Sequence, residues 1–286
     1  MKKRQIELVV ISDVHLGTFG CHADELLAYL NSINPKKIIL NGNLVDICQY
    51  SKNYFPATHI KVLRKIMGMA TNGTEVYYIA GNLDEKLRKF CGTSLGNIHF
   101  VDRLALEIDG KKAWFFHGDV FDIPIGPAKW MAKMGRQGFS LLLLLNSTLN
   151  WIMDTLGRER YSLSKKKRNN LKGSVGFIEN FEHRVKELAI AKNCDYVICG
   201  HIHRPKKEIY ESERGTCTYL NSGDWVENLT ALEYAFKRWK IYRYSADKLS
   251  PFFVDEELKG MDIHELLATA VIAKKAPNKI PIKTKI

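Results

Sequence analysis

The sequence predicts an α/β fold, because short apolar runs alternate with stretches of helical character. Several runs rich in β-branched and aromatic residues have the length and hydrophobicity of strands buried on both faces. They are "IELVVISDVH" (6–15), "KKIILNGNLVD" (36–46), "EVYYIAGNLDE" (75–85), "KAWFFHGD" (112–119) and "CDYVICGHIH" (194–203). Predicted helices at 22–32 and 57–71 separate the first three runs. This alternation favours layers of helix and sheet over a β-sandwich or a helical bundle.

After residue 203 the pattern changes to hairpin-like material. The stretches "KKEIYESERGTCTYLNSGDW" (206–225) and "LTALEYAFKRWKIYRYS" (229–245) both have the composition of paired strands joined by turns. We expect them to form a second, antiparallel set of strands. The predicted α/β domain therefore comprises residues 1–122 and 175–247, interrupted by residues 123–174.

Residues 123–174 are predicted to be a helical insertion, rich in Leu, Trp and Met and flanked by Lys and Arg. Polar residues between 139 and 156 argue against a helix that spans a bilayer. The insertion either packs on its own hydrophobic face or forms an apolar lid that accepts acyl chains or rests on a membrane. Residues 248–286 are predicted to hold one C-terminal helix, with Asp262 and Glu265 in a capping box, followed by a basic tail.

The composition indicates an anionic partner. The chain has 43 Lys and Arg residues against 31 Asp and Glu residues, a net charge of +12. Nucleic acid, an anionic membrane surface or a phosphorylated substrate would each suit this charge. The six cysteines form no C-x-x-C pair, and the apolar run near the N-terminus is too short for a signal peptide or a membrane span. We therefore expect a cytoplasmic protein with reduced thiols that can attach peripherally to the inner membrane.

Polar side chains follow each predicted strand at the point where it ends. They are Asp13 and His15, Asn43 and Asp46, Asn82 and Asp84, His117 and Asp119, and His201 and His203. Each fragment alone is weak, because aspartates often cap helices and turns. Together they predict one cleft at the strand ends, where α/β folds bind ligands. Imidazoles, carboxylates and amides suit Mn, Fe or Zn, and a pair of such ions would activate water and clamp a phosphoryl group.

In this order the motifs resemble the calcineurin-like metallophosphoesterases. They are "DVH" (13–15), "GNLVD" (42–46), "GNLD" (81–84), "HGD" (117–119) and "GHIH" (200–203). The longer forms "DVHLG", "HGDVFD", "GHIHRP" and "SGDWVE" resemble the branch that contains UDP-2,3-diacylglucosamine pyrophosphohydrolases of the lipid A pathway. The resemblance implies a four-layer α/β/β/α sandwich, a helical lid for acyl chains at 123–174, and two divalent metal ions. Manganese is expected, with zinc and iron as alternatives.

The resemblance also implies the metal ligands. One ion would be held by Asp13, His15 and His203. The other would be held by Asn82, His117 and His201, with position 43 between the two ions.

Two positions depart from the family pattern. Asn43 stands where the family has a bridging aspartate, and Leu83 stands where it has a histidine or an arginine. A neutral amide binds cations weakly, and Leu83 cannot donate a hydrogen bond to phosphoryl charge. We expect a catalytic group formed by Asp84 with positions 43 and 83 to be impaired. Such a chain is either deliberately disabled, which the shape-conserving Asn43 favours, or a natural relative that binds ligand or works with one metal.

The predicted reaction is hydrolysis of the diphosphate of UDP-2,3-diacylglucosamine or a similar nucleotide-linked glycolipid. Arg158 and Lys172 are the predicted phosphate contacts. A calcineurin-like nuclease or another phosphoesterase is an alternative, although an apolar lid makes nucleic acid an unfavourable partner. A non-catalytic lipid or metal binder is the other alternative, because of Asn43 and Leu83.

Overall fold

The computed structural model describes residues 3–46, 54–121 and 172–244, with the side chains of the last range described from residue 176 onward. Almost all of the predicted insertion, including Arg158, and the predicted C-terminal helix and tail lie outside the described residues. Lys172 is described only as the first residue of a helix. The lid, the tail and the two phosphate contacts therefore stay predictions.

The larger sheet has seven strands and holds most of the parallel pairs. Its strands are β1 (Arg4–Ile11), β2 (Ile33–Asn41), β3 (Glu75–Ile79), β4 (Ser94–Leu95), β5 (Ile98–Val101), β11 (Thr230–Ala235) and β12 (Arg238–Arg243). They are ordered β12-β11-β1-β2-β3-β5-β4, and β1, β2, β3 and β5 run parallel. Helices α1 (Ala23–Ser32) and α2 (Ala57–Thr71) make the first two crossovers, as the sequence predicts.

The smaller sheet has five strands in the order β6-β7-β8-β10-β9. These are β6 (Leu104–Ile108), β7 (Lys111–Phe115), β8 (Tyr196–Cys199), β9 (Lys206–Ser212) and β10 (Gly215–Asn221). The three central strands are parallel, and hairpin partners cover both edges. Helix α3 (Lys172–Ala191) precedes β8 and begins inside the segment predicted to be the insertion.

Three apolar clusters stack the elements into four layers. Helices α1 and α2 pack on the outer face of the larger sheet through residues such as Leu26 and Ile66. Helix α3 packs on the outer face of the smaller sheet through residues such as Phe181 and Val185. Residues of both sheets, including Val10, Phe115, Ile198 and Leu220, fill the space between them. The α/β/β/α arrangement is therefore confirmed.

The two hairpins after residue 203 correct one sequence expectation. They do not form a single antiparallel set, because β9 and β10 belong to the smaller sheet while β11 and β12 complete an edge of the larger one. The chain changes sheets at residues 222–229, where Asp224 Oδ1 accepts hydrogen bonds from the backbone N–H groups of Val226, Glu227 and Asn228. That capped turn redirects the chain, and hydrophobic alternation alone does not reveal it.

Short 3₁₀ turns follow β3 and β7, at Glu85–Phe90 and Asp119–Phe121. Among the described residues, no helix combines the length and hydrophobicity needed to cross a membrane. Five of the six cysteines are described, and each has a free thiol.

Candidate metal centre

The loops after β1, β2, β3, β7 and β8 meet at one edge of the two sheets. At that edge several non-glycine residues adopt left-handed backbone conformations, each costing about 1 kcal/mol or more. They are Asp13 (φ 52°), His15 (φ 58°), Asn43 (φ 54°), His201 (φ 67°) and His203 (φ 51°). Strained backbone at predicted site residues is typical of loops held in place for a function.

Asp13, His15 and His203 form a compact group of metal-ligating side chains. Their ligand atoms all lie within 4.8 Å of one another. His203 Nε2 is 3.3 Å from Asp13 Oδ1 and 3.4 Å from His15 Nε2. One carboxylate and two imidazoles are a donor set that suits a divalent transition metal.

A second carboxylate lies behind each of these imidazoles. His203 Nδ1 is 3.9 Å from Asp224 Oδ2, and His15 Nδ1 is 3.6 Å from Asp46 Oδ2. Carboxylates in this outer position commonly orient metal-binding imidazoles. The motif "SGDWVE" does not by itself indicate a role for Asp224, but the position of Asp224 behind His203 supplies one.

Asp13 is completely buried. Burial alone would raise its pKa, but the imidazoles of His203, His117 and His15 outweigh that effect and hold the pKa well below its ordinary value. Its Oδ2 also accepts the backbone N–H of His201, at 2.9 Å. Asp13 is therefore a carboxylate at neutral pH and can offer charge to a cation.

His117 presents an unused lone pair to the same centre. Its Nδ1 is 2.9 Å from the Asn41 carbonyl oxygen, so Nδ1 donates and Nε2 carries the lone pair. The buried Nε2 has no hydrogen-bond partner among the described residues and lies 3.9 Å from Asp13 Oδ1. Burial lowers the pKa of His117, which keeps the imidazole neutral. The His201 ring stands nearly perpendicular to it, with ring centroids 5.1 Å apart.

Asn43 is held by three hydrogen bonds in the middle of the centre. Its Nδ2 donates to Asp13 Oδ1 and to Asn82 Oδ1, both at 3.1 Å. Its Oδ1 accepts the backbone N–H of Leu83 at 3.0 Å. The NH₂ group of Asn43 therefore faces the other predicted ligands in this structure, and metal binding by Asn43 stays a prediction.

The predicted catalytic role of Asp84 stays a prediction, but the structure shows what its carboxylate contacts. Its carboxylate accepts hydrogen bonds from the Tyr78 hydroxyl, the Gly81 N–H and the Leu44 N–H. The residue is fully buried. It therefore ties the loops after β2 and β3 together and acts as a positioning residue for both.

Close approach between loops explains two of the motif glycines. A Cβ atom on Gly81 would lie 2.4 Å from Asn43 Oδ1, and one on Gly200 would lie 2.6 Å from Asp13 Oδ2. Neither contact is sterically possible, and neither neighbour can move without leaving the centre. The glycines in "GNLD" and "GHIH" are thus required by packing.

Arg88 has no counterpart in the sequence predictions. Its Nη2 donates to Asp119 Oδ2 at 2.5 Å and to the Ala80 carbonyl oxygen at 3.4 Å. It therefore links the loops after β3 and β7 beside the centre. Arg88 lies outside the motifs quoted from the sequence, so their spacing gives no indication of this contact.

The sequence profile of calcineurin-like phosphoesterases matches residues 6–205 of the 286 residues. The chain belongs to the calcineurin-like phosphoesterase family. UDP-2,3-diacylglucosamine hydrolase of Aliivibrio fischeri (strain MJ11) is 22% identical over 242 residues, covering 82% of this chain and 98% of that protein. UDP-2,3-diacylglucosamine hydrolase of Marinobacter nauticus (strain ATCC 700491 / DSM 11845 / VT8) is 30% identical over 163 residues, covering 56% of this chain and 65% of that protein. A solved archaeal phosphodiesterase has 16% identity and a TM-score of 0.40, covering 82% of this chain and 98% of that one.

Family membership makes this chain a phosphoester hydrolase of a class that uses divalent metal ions. The question is therefore whether the residues of the centre fit such ions. Asp13, His15 and His203 of this phosphoesterase fit one divalent cation, because they supply a charged carboxylate and two imidazoles within reach of one another. The other predicted ligand set, Asn82, His117 and His201, contains one side-chain oxygen, that of Asn82, and the NH₂ group of Asn43 already donates to it at 3.1 Å. The centre thus fits one cation better than a second.

Proposed function

We propose that this calcineurin-like phosphoesterase acts on the diphosphate of UDP-2,3-diacylglucosamine or a similar nucleotide-linked lipid, and that Asn43 and Leu83 impair its turnover. The observation that carries the proposal is the group of Asp13, His15 and His203 at the joined strand ends. The relatives named UDP-2,3-diacylglucosamine hydrolase support the choice of substrate.

The chain's own residues have separable tasks in this proposal. Asp13, His15 and His203 would hold a divalent cation, with manganese the expected ion. Such an ion supplies a Lewis acid for the phosphoryl oxygens and lowers the pKa of a bound water. Asp46 and Asp224 orient the two imidazoles from behind. Asp84 and Arg88 hold the surrounding loops in register.

Leu83 removes a hydrogen-bond donor that the family pattern has beside the phosphoryl group. Its side chain is half-buried at the centre, and only its backbone N–H takes part, by donating to Asn43. Removal of one donor to developing oxyanion charge typically lowers kcat by about 10²–10³-fold. We therefore expect slow turnover from the chain as it stands.

The test is Mn²⁺-dependent release of UMP from UDP-2,3-diacylglucosamine by the unaltered chain and by an Asn43→Asp, Leu83→His double variant. We expect the double variant to be faster by about 10²-fold or more, since it regains a bridging carboxylate and a donor. Adding Asp13→Asn to the double variant is the control and should abolish the gain. A double variant that binds manganese fully yet releases no UMP would show that the substrate assignment is wrong.

The same two residues favour a second candidate, a non-catalytic binder of lipid or metal. If the protein is a binder, the unaltered chain and the double variant should hold the nucleotide-linked lipid with equal affinity. Neither protein should hydrolyse a phosphoester. A competition experiment tests the alternative that the protein is a nuclease or another phosphoesterase. Single-stranded DNA should leave UMP release unaffected if the lipid is the substrate, and should inhibit it if the cleft serves nucleic acid.

We further propose that the protein works in the cytoplasm at the surface of the inner membrane. The net charge of +12 supports attraction to anionic lipids. The outer surface of α2 also carries exposed Ile60 and Met67 beside the exposed cations Lys61 and Arg64. Exposed apolar side chains flanked by cations are typical of surfaces that rest on anionic bilayers.

A further inference from the structure

We infer that the centre binds a single divalent cation, at Asp13, His15 and His203, and that the amide of Asn43 replaces a second cation with a neutral hydrogen-bonded bridge. The inference rests on the metal requirement of the proposed function and does not depend on its substrate. It departs from the two-ion centre that the family resemblance implies.

The orientation of the Asn43 amide is fixed from outside the centre. Its Oδ1 accepts the backbone N–H of Leu83 at 3.0 Å, and the Asn43 side chain is buried. Rotating the amide by half a turn would bring NH₂ against N–H, two donors that cannot pair. The partly buried Leu83 N–H would then lose its acceptor, which is unfavourable.

The group that faces the centre is consequently NH₂, which has no lone pair for a metal. Its two hydrogens are directed at Asp13 Oδ1 and Asn82 Oδ1, each 3.1 Å from Nδ2. A carboxylate in the same orientation would instead present an oxygen to both sides. One substitution thus removes the bridging atom and also engages the Asn82 oxygen that a second ion would need.

The two predicted ligand sets also differ in composition. Asp13, whose Oδ1 is 3.3 Å from His203 Nε2, belongs to the compact group with His15 and His203. Asn82, His117 and His201 bring no carboxylate of their own, and Asp13 Oδ1 is 3.9 Å from His117 Nε2. A divalent cation at this second set would give up its water for neutral ligands beside an inward-facing donor. We therefore expect the first set to fill and the second to stay without an ion.

The experiment counts metal ions and needs no substrate. Each protein is loaded with excess Mn²⁺, desalted and analysed for manganese per chain, and electron paramagnetic resonance distinguishes isolated from spin-coupled Mn²⁺. The unaltered chain should retain one isolated ion, and Asn43→Asp should retain two coupled ions. Leu83→His, which leaves Asn43 in place, is the matched control and should retain one. Two ions in the unaltered chain, or one in a folded Asn43→Asp protein, would overturn the inference.

A second pair of variants covers the case in which Asn43→Asp fails to fold, since it places two carboxylates side by side. In the unaltered background His203→Ala should abolish manganese retention, whereas Asn82→Ala should leave one ion. Equal losses from the two variants would contradict the assignment of the ion to one ligand set. Ion counts as expected without UMP release from the revertant would leave this inference intact and refute only the proposed substrate.

Discussion

A single side-chain atom at position 43 determines what the centre can hold. The amide oxygen of Asn43 is turned to the Leu83 N–H, so the atom directed inward is nitrogen. The two departures from the family pattern are therefore linked through one hydrogen bond between their loops. Restoring the carboxylate at 43 changes the inward atom, while restoring a polar group at 83 adds a side chain and leaves that hydrogen bond in place.

The close contact at Gly81 gives a residue-level prediction. Gly81→Ala would place a Cβ atom 2.4 Å from Asn43 Oδ1. We expect a loss of about 1–3 kcal/mol in the free energy of unfolding, as for other overpacked sites, together with loss of the bound ion. Urea unfolding and manganese content measure the two effects.

The matched control is Gly68→Ala on α2, where nothing lies within 4 Å of the added Cβ. A helical glycine replaced by alanine should raise the stability, by about 0.5–1 kcal/mol. If Gly81→Ala were as stable and as rich in metal as the unaltered chain, the described packing of the loops after β2 and β3 would be wrong.

The residues of the centre follow directly after apolar runs, and this pattern correctly predicts their position at the ends of strands. The structure brings ligand atoms of Asp13, His15 and His203 within 4.8 Å of one another, although His15 and His203 are 188 positions apart in the sequence. The direction of the Asn43 amide could not be predicted, since it depends on a backbone N–H 40 positions away. The buried contacts of Asp84 depend in the same way on two loops that meet only in the folded chain.

At the level of elements, strands with near-continuous hydrophobic runs were predicted well and half-buried ones were not. β1 and β2 end in runs of consecutive buried residues, which are expected where both faces of a strand are covered by other elements. β6 and β9 alternate between half-buried and exposed residues, a pattern that fits an edge of either sheet. The assignment of the late hairpins to different sheets therefore required the turn at Asp224.

The thiol of Cys217 on β10 gives a prediction about pH. Cys217 is buried, and burial raises its pKa from 9.0 to about 11. The folded chain therefore keeps a neutral thiol at pH 10, while the unfolded chain ionises it. The stabilising contribution is complete below pH 9 and is lost as the pH rises toward 11.

Urea unfolding at pH 8, 9 and 10 checks this prediction against Cys217→Ser, whose hydroxyl does not titrate in that range. Between pH 9 and 10 the unaltered chain should lose roughly 1 kcal/mol more stability than the variant. Parallel pH profiles for the two proteins would mean that Cys217 does not ionise differently in the two states.

For the whole molecule, composition indicated an anionic partner but not which surface would meet it. The structure locates one basic surface on the seven-stranded side. A groove of about 430 Å³ between α1 and α2 is lined by Lys3, Lys61, Arg64 and Lys65, among other residues, and contains no acidic residue in its lining. Exposed Ile60 (53%) and Met67 (59%) stand on the same helix. Cations and apolar side chains therefore occur together on α2.

Binding to anionic vesicles tests whether this surface of α2 carries the proposed membrane attachment. A Lys61→Glu, Arg64→Glu double variant should bind vesicles containing phosphatidylglycerol about 30-fold more weakly at low salt, since each basic residue near the surface contributes about 1 kcal/mol. Flotation with the unaltered chain gives the reference, and vesicles of phosphatidylcholine alone should bind neither protein well. The control is Lys111→Glu, Arg214→Glu, which changes the net charge equally but on β7 and in the turn between β9 and β10. Equal weakening by the two double variants would show that net charge attracts the protein to the membrane and that α2 has no special part in it.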